Sequence, residues 1–163
     1  MQVFIAADHR GYSLKNKLVV DLPHLDIGES EPISFVDLGP SQYVETDDFN
    51  DAAIDVCKAV LNAEKSYGII ICGSAIGVSI QANRFRGIRA AVVNDIETAE
   101  VSRMHNDANV ICLSADRLVT ATDPLETEKA YEDIIEIIRK FLSTPFSGEE
   151  RYIRRIKRLD KEV

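Results

Sequence analysis

The sequence predicts an α/β protein in which a five-stranded parallel sheet lies between two layers of helices, a three-layer α/β/α, Rossmann-like arrangement. Three observations predict it. Short runs of strand-forming residues alternate five times with segments of helical periodicity along the chain, the pattern of strand–helix–strand crossovers. The run Ile69-Ile70-Ile71 is apolar without alternation, which suits a strand covered on both faces. Asp8-His9, Cys72-Gly73-Ser74 and Asn94-Asp95 follow directly on predicted strands, and ligands of parallel sheets gather at the carboxyl ends of the strands.

Residues 2–7 read as the first strand, ending in Asp8-His9-Arg10-Gly11. From Tyr12 the residues Leu14, Leu18, Val19 and Leu22 recur at helical spacing until Pro23 stops the helix. Residues 33–38 predict a second strand, closed by Gly39-Pro40. A loop containing Glu45, Asp47 and Asp48 then leads to a helix over about 50–63. The triple isoleucine run is the third strand, and it turns at Cys72-Gly73-Ser74-Ala75-Ile76-Gly77 into a helix ending near Arg86-Gly87. Residues 88–93 predict the fourth strand, Asn94-Asp95 cap a helix running through about His105, and residues 109–113 predict the fifth strand. A long helix over about 124–142 carries Ile134, Ile135, Ile138, Phe141 and Leu142 on one side. Ser143-Thr144-Pro145 breaks it, and a charged helix follows from about Gly148. Without repeat or linker, residues 1–163 read as a single domain.

Composition narrows the function classes. With 163 residues, of which 45% are hydrophobic, the chain is long enough for a proper core. A net charge of −8 argues against nucleic acid or an anionic membrane as partner, since either favours a broad basic face. No apolar run approaches the roughly 18 residues of a membrane span, and Met1 leads straight into the strand-like QVFIAA. Cys57, Cys72 and Cys112 are odd in number and form no C-x-x-C pair, so neither a disulfide framework nor a zinc site is indicated. A soluble protein of the reducing cytoplasm is expected.

Function is expected in the turn at residues 72–77. Small residues let backbone N–H groups approach a ligand, and the following helix points the positive end of its dipole there, making a cradle for an anion. Ala75 stands where a dinucleotide fingerprint needs its second glycine, and no G-K-[ST] follows, so another phosphate or oxyanion is expected. Beside such a cradle Cys72 should favour the thiolate, which makes it a candidate base or nucleophile. Taken alone, it reads equally as a buried core cysteine in a turn shared by many unrelated α/β proteins.

Four blocks decide between these readings: AADHRGYSLK, ICGSAIGVSIQANRFRGIRAAV, SRMHNDANV and FLSTPFSGEERYIRRI, in this order over nearly the whole chain. In them the chain resembles the type B ribose-5-phosphate isomerases, a family that includes galactose-6-phosphate and allose-6-phosphate isomerases. The resemblance implies interconversion of aldose and ketose phosphates without metal or organic cofactor, in a homodimer or homotetramer with shared active sites. Position by position it implies Cys72 as base with Ser74 beside it, and Asp8 and His105 as the pair that opens the sugar ring, with Asn106 following. His9, Arg151 and Arg155 are implied as phosphate ligands and Gly73 and Gly77 as substrate-binding. Residues 143–163 then form a phosphate-binding helix and tail. Where some members carry a glutamate base in the helix after the turn, this chain has Val78.

The chemistry matches the residue types. Aldose–ketose exchange needs a base to carry a proton between carbons 1 and 2, and donors to hold the enediolate oxygen. Ring opening needs a group that takes and gives a proton near neutral pH, as histidine does. Arg151 and Arg155 are four apart, on one helix face, so both forks can reach one phosphate. Singly, His105 could end a helix, Asp8 cap one, and the basic run Arg151, Arg154, Arg155, Lys157, Arg158 be a solvated face. Their joint pattern carries the reading. Departures bear on the substrate. Ala75 replaces a common glycine, Asp48 and Phe49 stand where tyrosine and proline are usual, the tail reads Gly-Glu-Glu-Arg-Tyr, and Arg117 is shifted from a further phosphate arginine. Ribose 5-phosphate is the first expectation; a six-carbon or modified sugar phosphate, and a non-catalytic phosphosugar-binding protein, are the alternatives.

Overall fold

The computed structural model describes residues 1–28, 33–119, 123–159 and 161. Five strands, β1 (Gln2–Ala7), β2 (Ser34–Asp37), β3 (Ser66–Cys72), β4 (Ala90–Val92) and β5 (Val110–Ser114), form one sheet in the order β2-β1-β3-β5-β4. Every pairing is parallel. Between the strands run α1 (Tyr12–Asp21), α2 (Phe49–Asn62), α3 (Ile76–Ala82) and α4 (Ile96–Asn106), and after β5 come a short α5 (Asp116–Val119), α6 (Pro124–Ser143) and α7 (Glu150–Leu159). The three-layer α/β/α class is as the sequence predicts; residues 160, 162 and 163 of the expected C-terminal tail lie outside the described residues.

The isoleucine run shows why the sheet is covered on both faces. Successive strand side chains point to opposite faces. Ile69 and Ile71 accordingly enter one apolar cluster with Leu14, Leu18, Ile138 and Phe141, while Ile70 and Cys72 enter the other with Val56, Cys57, Val78 and Cys112. In register, Ile69 stands opposite Ile5 on one side and Ile111 on the other. All three isoleucines are fully buried, so truncating any of them to alanine is expected to cost roughly 2–5 kcal/mol. Gly68 lets α2 close on this strand: a Cβ there would lie 2.5 Å from Val56 Cγ1.

Several elements are shorter than their patterns suggest, β2 among them at Ser34–Asp37 rather than 33–38. The third helix ends at Ala82 rather than near Arg86, and β4 spans Ala90–Val92 rather than 88–93. Asn83, the residue that caps the end of α3, ties the two together. Its amide nitrogen donates to the carbonyls of Ser79 and Ala90, each at 2.9 Å, and its side-chain oxygen accepts the Ala90 N–H at 2.9 Å. The side chain thus competes with the helix ladder and stands in for a strand neighbour at the sheet edge.

Buried Arg103 pins the amino-end of the sheet. It donates to the carbonyls of Thr144 (3.2 Å) and Ala108 (2.6 Å), to Asp107 (2.8 Å) and to the Tyr67 hydroxyl (3.0 Å). This ties the last turn of α4 to the end of α6 and the start of β3.

Candidate active site

Expected site residues fall into two clusters at opposite ends of the sheet. The first is built on the carboxyl ends of β1 and β3. Cys72 closes β3, 5% exposed, and its Sγ accepts the N–H of Ala75 at 3.1 Å. Ala75 reaches that position through a left-handed backbone, φ 66°, directly before α3, a conformation that costs an L-residue roughly 1–2 kcal/mol. A glycine would adopt this conformation without that cost. Ser74 is exposed at the tip, its Oγ accepting the Ile76 N–H at 3.3 Å. Gly77 faces Phe49, whose ring atoms would lie 2.8–3.1 Å from a Cβ there, so the expected substrate-binding glycine has an aromatic wall packed on it.

Asp8 is buried beside this turn, its backbone N–H bound to the Ile71 carbonyl and its Oδ1 accepting the N–H groups of Arg10 and Gly11, each at 3.0 Å. Burial raises its carboxyl above the ordinary range, against the two amides and nearby His9, which lower it. His9 is held by Asp47: the ring Nδ1 lies 2.7 Å from Oδ1, and the His9 backbone N–H donates to the same oxygen at 2.9 Å.

The Cys72 thiol corrects the sequence expectation. Burial pushes it up, outweighing the N–H groups of Val78, Ala75 and Ser74 that favour the thiolate, and the Asp8 carboxylate pushes it further up. Amides and a helix end argue for a low value only where the sulfur stays wet, and here the strand buries it. Cys57, raised by burial to about 12, and Cys112, also raised by burial, lie deeper in the same apolar cluster.

The second cluster stands at the amino ends of the strands. Because α4 leaves the carboxyl end of β4 and returns to the start of β5, its last residues His105 and Asn106 lie at the end opposite Cys72. The Arg89 Nε, just before β4, donates to the Asn106 carbonyl at 3.0 Å, which fixes this placement. The segment leading into α7 joins here, its Ser147 N–H donating to the Met104 carbonyl at 3.2 Å. The His105 ring stacks on Tyr152 with centroids 4.3 Å apart and planes at 17°. The Arg151 guanidinium lies 4.5 Å and that of Arg155 5.9 Å from the same ring centroid. Tyr152 is buried, so one aromatic plate carries the histidine and Arg151, with Arg155 at its edge.

One chain therefore unites Asp8, His9, Cys72, Gly73, Ser74 and Gly77, and separately His105, Asn106, Arg151 and Arg155, but does not bring the two sets together. Asn94-Asp95 also fail to join the Cys72 cleft, because β5 separates β3 from β4. They line instead a cavity of about 500 Å³ with Ser114, Arg117 and Asp133. A cleft of about 850 Å³ lies beside Asn106, lined by Arg84, Arg86, Arg89 and Lys161. Neither is lined by Cys72, Ser74 or Asp8. Among the described residues no group of three or more His, Cys, Asp or Glu is placed to hold a metal ion, and no helix is long and apolar enough to cross a membrane.

Sequence reasoning missed Tyr152, Arg10 and Asp116. The signal for Tyr152 was present: with Ile156 and Leu159 it forms a stripe at helical spacing in a helix that reads otherwise as a solvated charge run.

The sequence model of the family described as Ribose/Galactose Isomerase matches residues 3–159. The chain belongs to this family. A probable ribose-5-phosphate isomerase B of Mycoplasma genitalium is 38% identical over 164 residues, covering 99% of this chain and 97% of that protein. The solved type B ribose 5-phosphate isomerase of Trypanosoma cruzi is 38% identical with a TM-score of 0.82, covering 98% of this chain and 96% of that one. A ribose-5-phosphate isomerase B structure from Mycoplasma genitalium with bound ribulose-5-phosphate is 35% identical with a TM-score of 0.80, covering 98% and 93%. By family, the chain is a sugar-phosphate isomerase, an intramolecular oxidoreductase with the doubly covered parallel sheet of its relatives.

Proposed function

We propose that this chain interconverts ribose 5-phosphate and ribulose 5-phosphate through an enediolate, with Cys72 as the base. The observation that carries the reading is the Cys72 sulfur at the carboxyl end of β3, accepting the Ala75 N–H with buried Asp8 alongside. As thiolate, Cys72 removes the proton from carbon 2 of the open-chain aldose. The electron pair passes into the enediolate, a proton moves from the carbon-2 oxygen to the carbon-1 oxygen, and the Cys72 thiol returns its proton to carbon 1. A thiol raised by burial is a stronger base once ionised, and N–H groups of the turn hold the oxygen that gains charge.

The second cluster completes this site from another copy of the chain. Two-fold symmetry is the commonest way for a protein to bring opposite ends of one fold together, and it sets the ring-opening His105 and Asn106 and the phosphate-holding Arg151 and Arg155 of one subunit over the Cys72 turn of the other. Exposed apolar residues support it: Ile76 and Ile80, one turn apart on α3 directly after the catalytic turn, are 58% and 63% exposed, a pattern that marks interaction surfaces. In this reading residues 1–163 act as one catalytic domain whose C-terminal helix binds phosphate. Three unpaired, buried cysteines and the metabolic chemistry fit an enzyme of the cytoplasm.

Incubation with ribose 5-phosphate in heavy water tests the proposal. Ribulose 5-phosphate should form and deuterium should enter the substrate pool from solvent. Cys72→Ala should abolish both, and near wild-type exchange by that variant would place the base elsewhere.

A further inference from the structure

Arg10, on the loop after β1, is held at three points around the catalytic turn. Its backbone N–H is bound to Asp8 at 3.0 Å, and its Nε and Nη2 converge on Asp116 Oδ1 at 3.2 and 2.5 Å. Asp116 is itself fixed to the turn, its N–H donating to the Gly73 carbonyl at 3.0 Å, an oxygen that also accepts the Ser114 hydroxyl at 2.6 Å. The guanidinium rests on Gly73: a Cβ there would lie 2.4 Å from Arg10 Nε and 3.1 Å from Asp116 Oδ2. Only glycine leaves that seat open.

A guanidinium has five N–H donors. Asp116 takes two of Arg10's, and no other hydrogen bond engages its side chain among the described residues, although that side chain is 55% exposed. Charge makes these donors consequential. Asp8, Asp47 and Asp116 surround the turn in a chain of net charge −8, and a dianionic phosphate entering there meets carboxylates unless a cation faces it.

We propose that Arg10 is a specificity-determining residue that, clamped on Asp116 and seated on Gly73, presents its unspent N–H donors to the phosphate of the sugar from the Cys72 side of the site. The assignment rests on the sugar-phosphate reading above and adds to it a phosphate ligand from the same loop as Asp8 and His9. Asp116 acts as a positioning residue, since it fixes the plane of the fork.

Steady-state kinetics with ribose 5-phosphate, and inhibition by inorganic phosphate, on Arg10→Ala, Arg10→Lys, Asp116→Asn and the Arg10→Ala/Asp116→Asn double variant test it, with melting temperatures to verify folding. Arg10→Ala should raise both KM and the phosphate inhibition constant roughly ten- to hundredfold, the worth of a charge-assisted hydrogen bond, with a smaller change in kcat. Lysine should restore only part, because one ammonium cannot serve Asp116 and phosphate with the same planar geometry. The double variant should stay as weak as Arg10→Ala. If it returns to wild-type KM, Arg10 merely neutralises Asp116 and the proposal is wrong; an unchanged phosphate inhibition constant in Arg10→Ala overturns it equally. Failure of the underlying reading would look different, as a wild-type protein that converts no aldose phosphate.

Discussion

Replacing Tyr152 by leucine keeps an apolar side chain in a buried position while removing the plate on which His105, Arg151 and Arg155 rest. The stack with His105, at 4.3 Å and 17°, belongs to a class worth about 0.5–1.5 kcal/mol beyond area burial. Arg151, 4.5 Å from the ring centroid, adds about 0.5–1 kcal/mol as a cation over an aromatic face. Arg155, at 5.9 Å, lies at the outer edge of that interaction and adds little. The sum is roughly 1–2.5 kcal/mol. Expressed wholly as stability it lowers the melting temperature by about 2–10 °C. Expressed wholly as lost positioning of the groups proposed to hold phosphate and open the ring it lowers kcat/KM about five- to seventyfold. Thermal unfolding and kcat/KM for ribose 5-phosphate, measured together, give the division between the two. Tyr152→Phe retains the ring and should resemble wild type in both. A leucine variant unchanged in both, or a phenylalanine variant as damaged as leucine, would refute the role given to the ring.

Two further predictions concern the Cys72 end. Burial holds the Asp8 carboxyl above its ordinary 3.8, so its ionisation opposes folding and stability is lost as pH rises through the raised value. Asp8→Asn should therefore melt above wild type at pH 7 while losing activity, its advantage vanishing once the pH falls below 3.8, where both folded and unfolded wild-type chains are protonated; a lower melting temperature at pH 7 would contradict this. Ala75→Gly relieves the left-handed backbone at φ 66° and should raise the melting temperature by about 2–4 °C, for a gain near 1 kcal/mol; a lower melting temperature would contradict this.

What was legible in the sequence followed from burial. A strand covered on both faces must be a continuous apolar run, so Ile69-Ile70-Ile71 identified β3 and the class of the sheet with it, and the apolar stripe of α6 located a helix on one face. Strand order was not legible, because crossovers of similar length connect neighbours and non-neighbours alike. The insertion of β5 between β3 and β4 is what removes Asn94-Asp95 from the Cys72 cleft. Nor were the ties that build the site: His9 and Asp47 are 38 residues apart, and Arg10 and Asp116 are 106 apart. Capping propensity showed that Asp95 starts α4 but not that Asn83 would cap α3 and bond across to β4. The Cys72 thiol was misjudged because amide donors can be counted from a turn, whereas the burial that overrides them belongs to the folded sheet. His105 and the arginines were found by resemblance, and only the topology reveals that they lie across the molecule from Cys72.

That separation gives the account its most direct test. Cys72→Ala and His105→Asn should each be nearly inactive on cyclic ribose 5-phosphate. Refolded together from an equimolar mixture, about half of the dimers should be mixed, and in each mixed dimer one of the two shared sites combines an intact Cys72 turn with an intact His105 cluster. The mixture is predicted to recover about a quarter of wild-type activity. Activity no greater than the sum of the two variants measured apart would show that Cys72 and His105 do not serve one site across a subunit boundary.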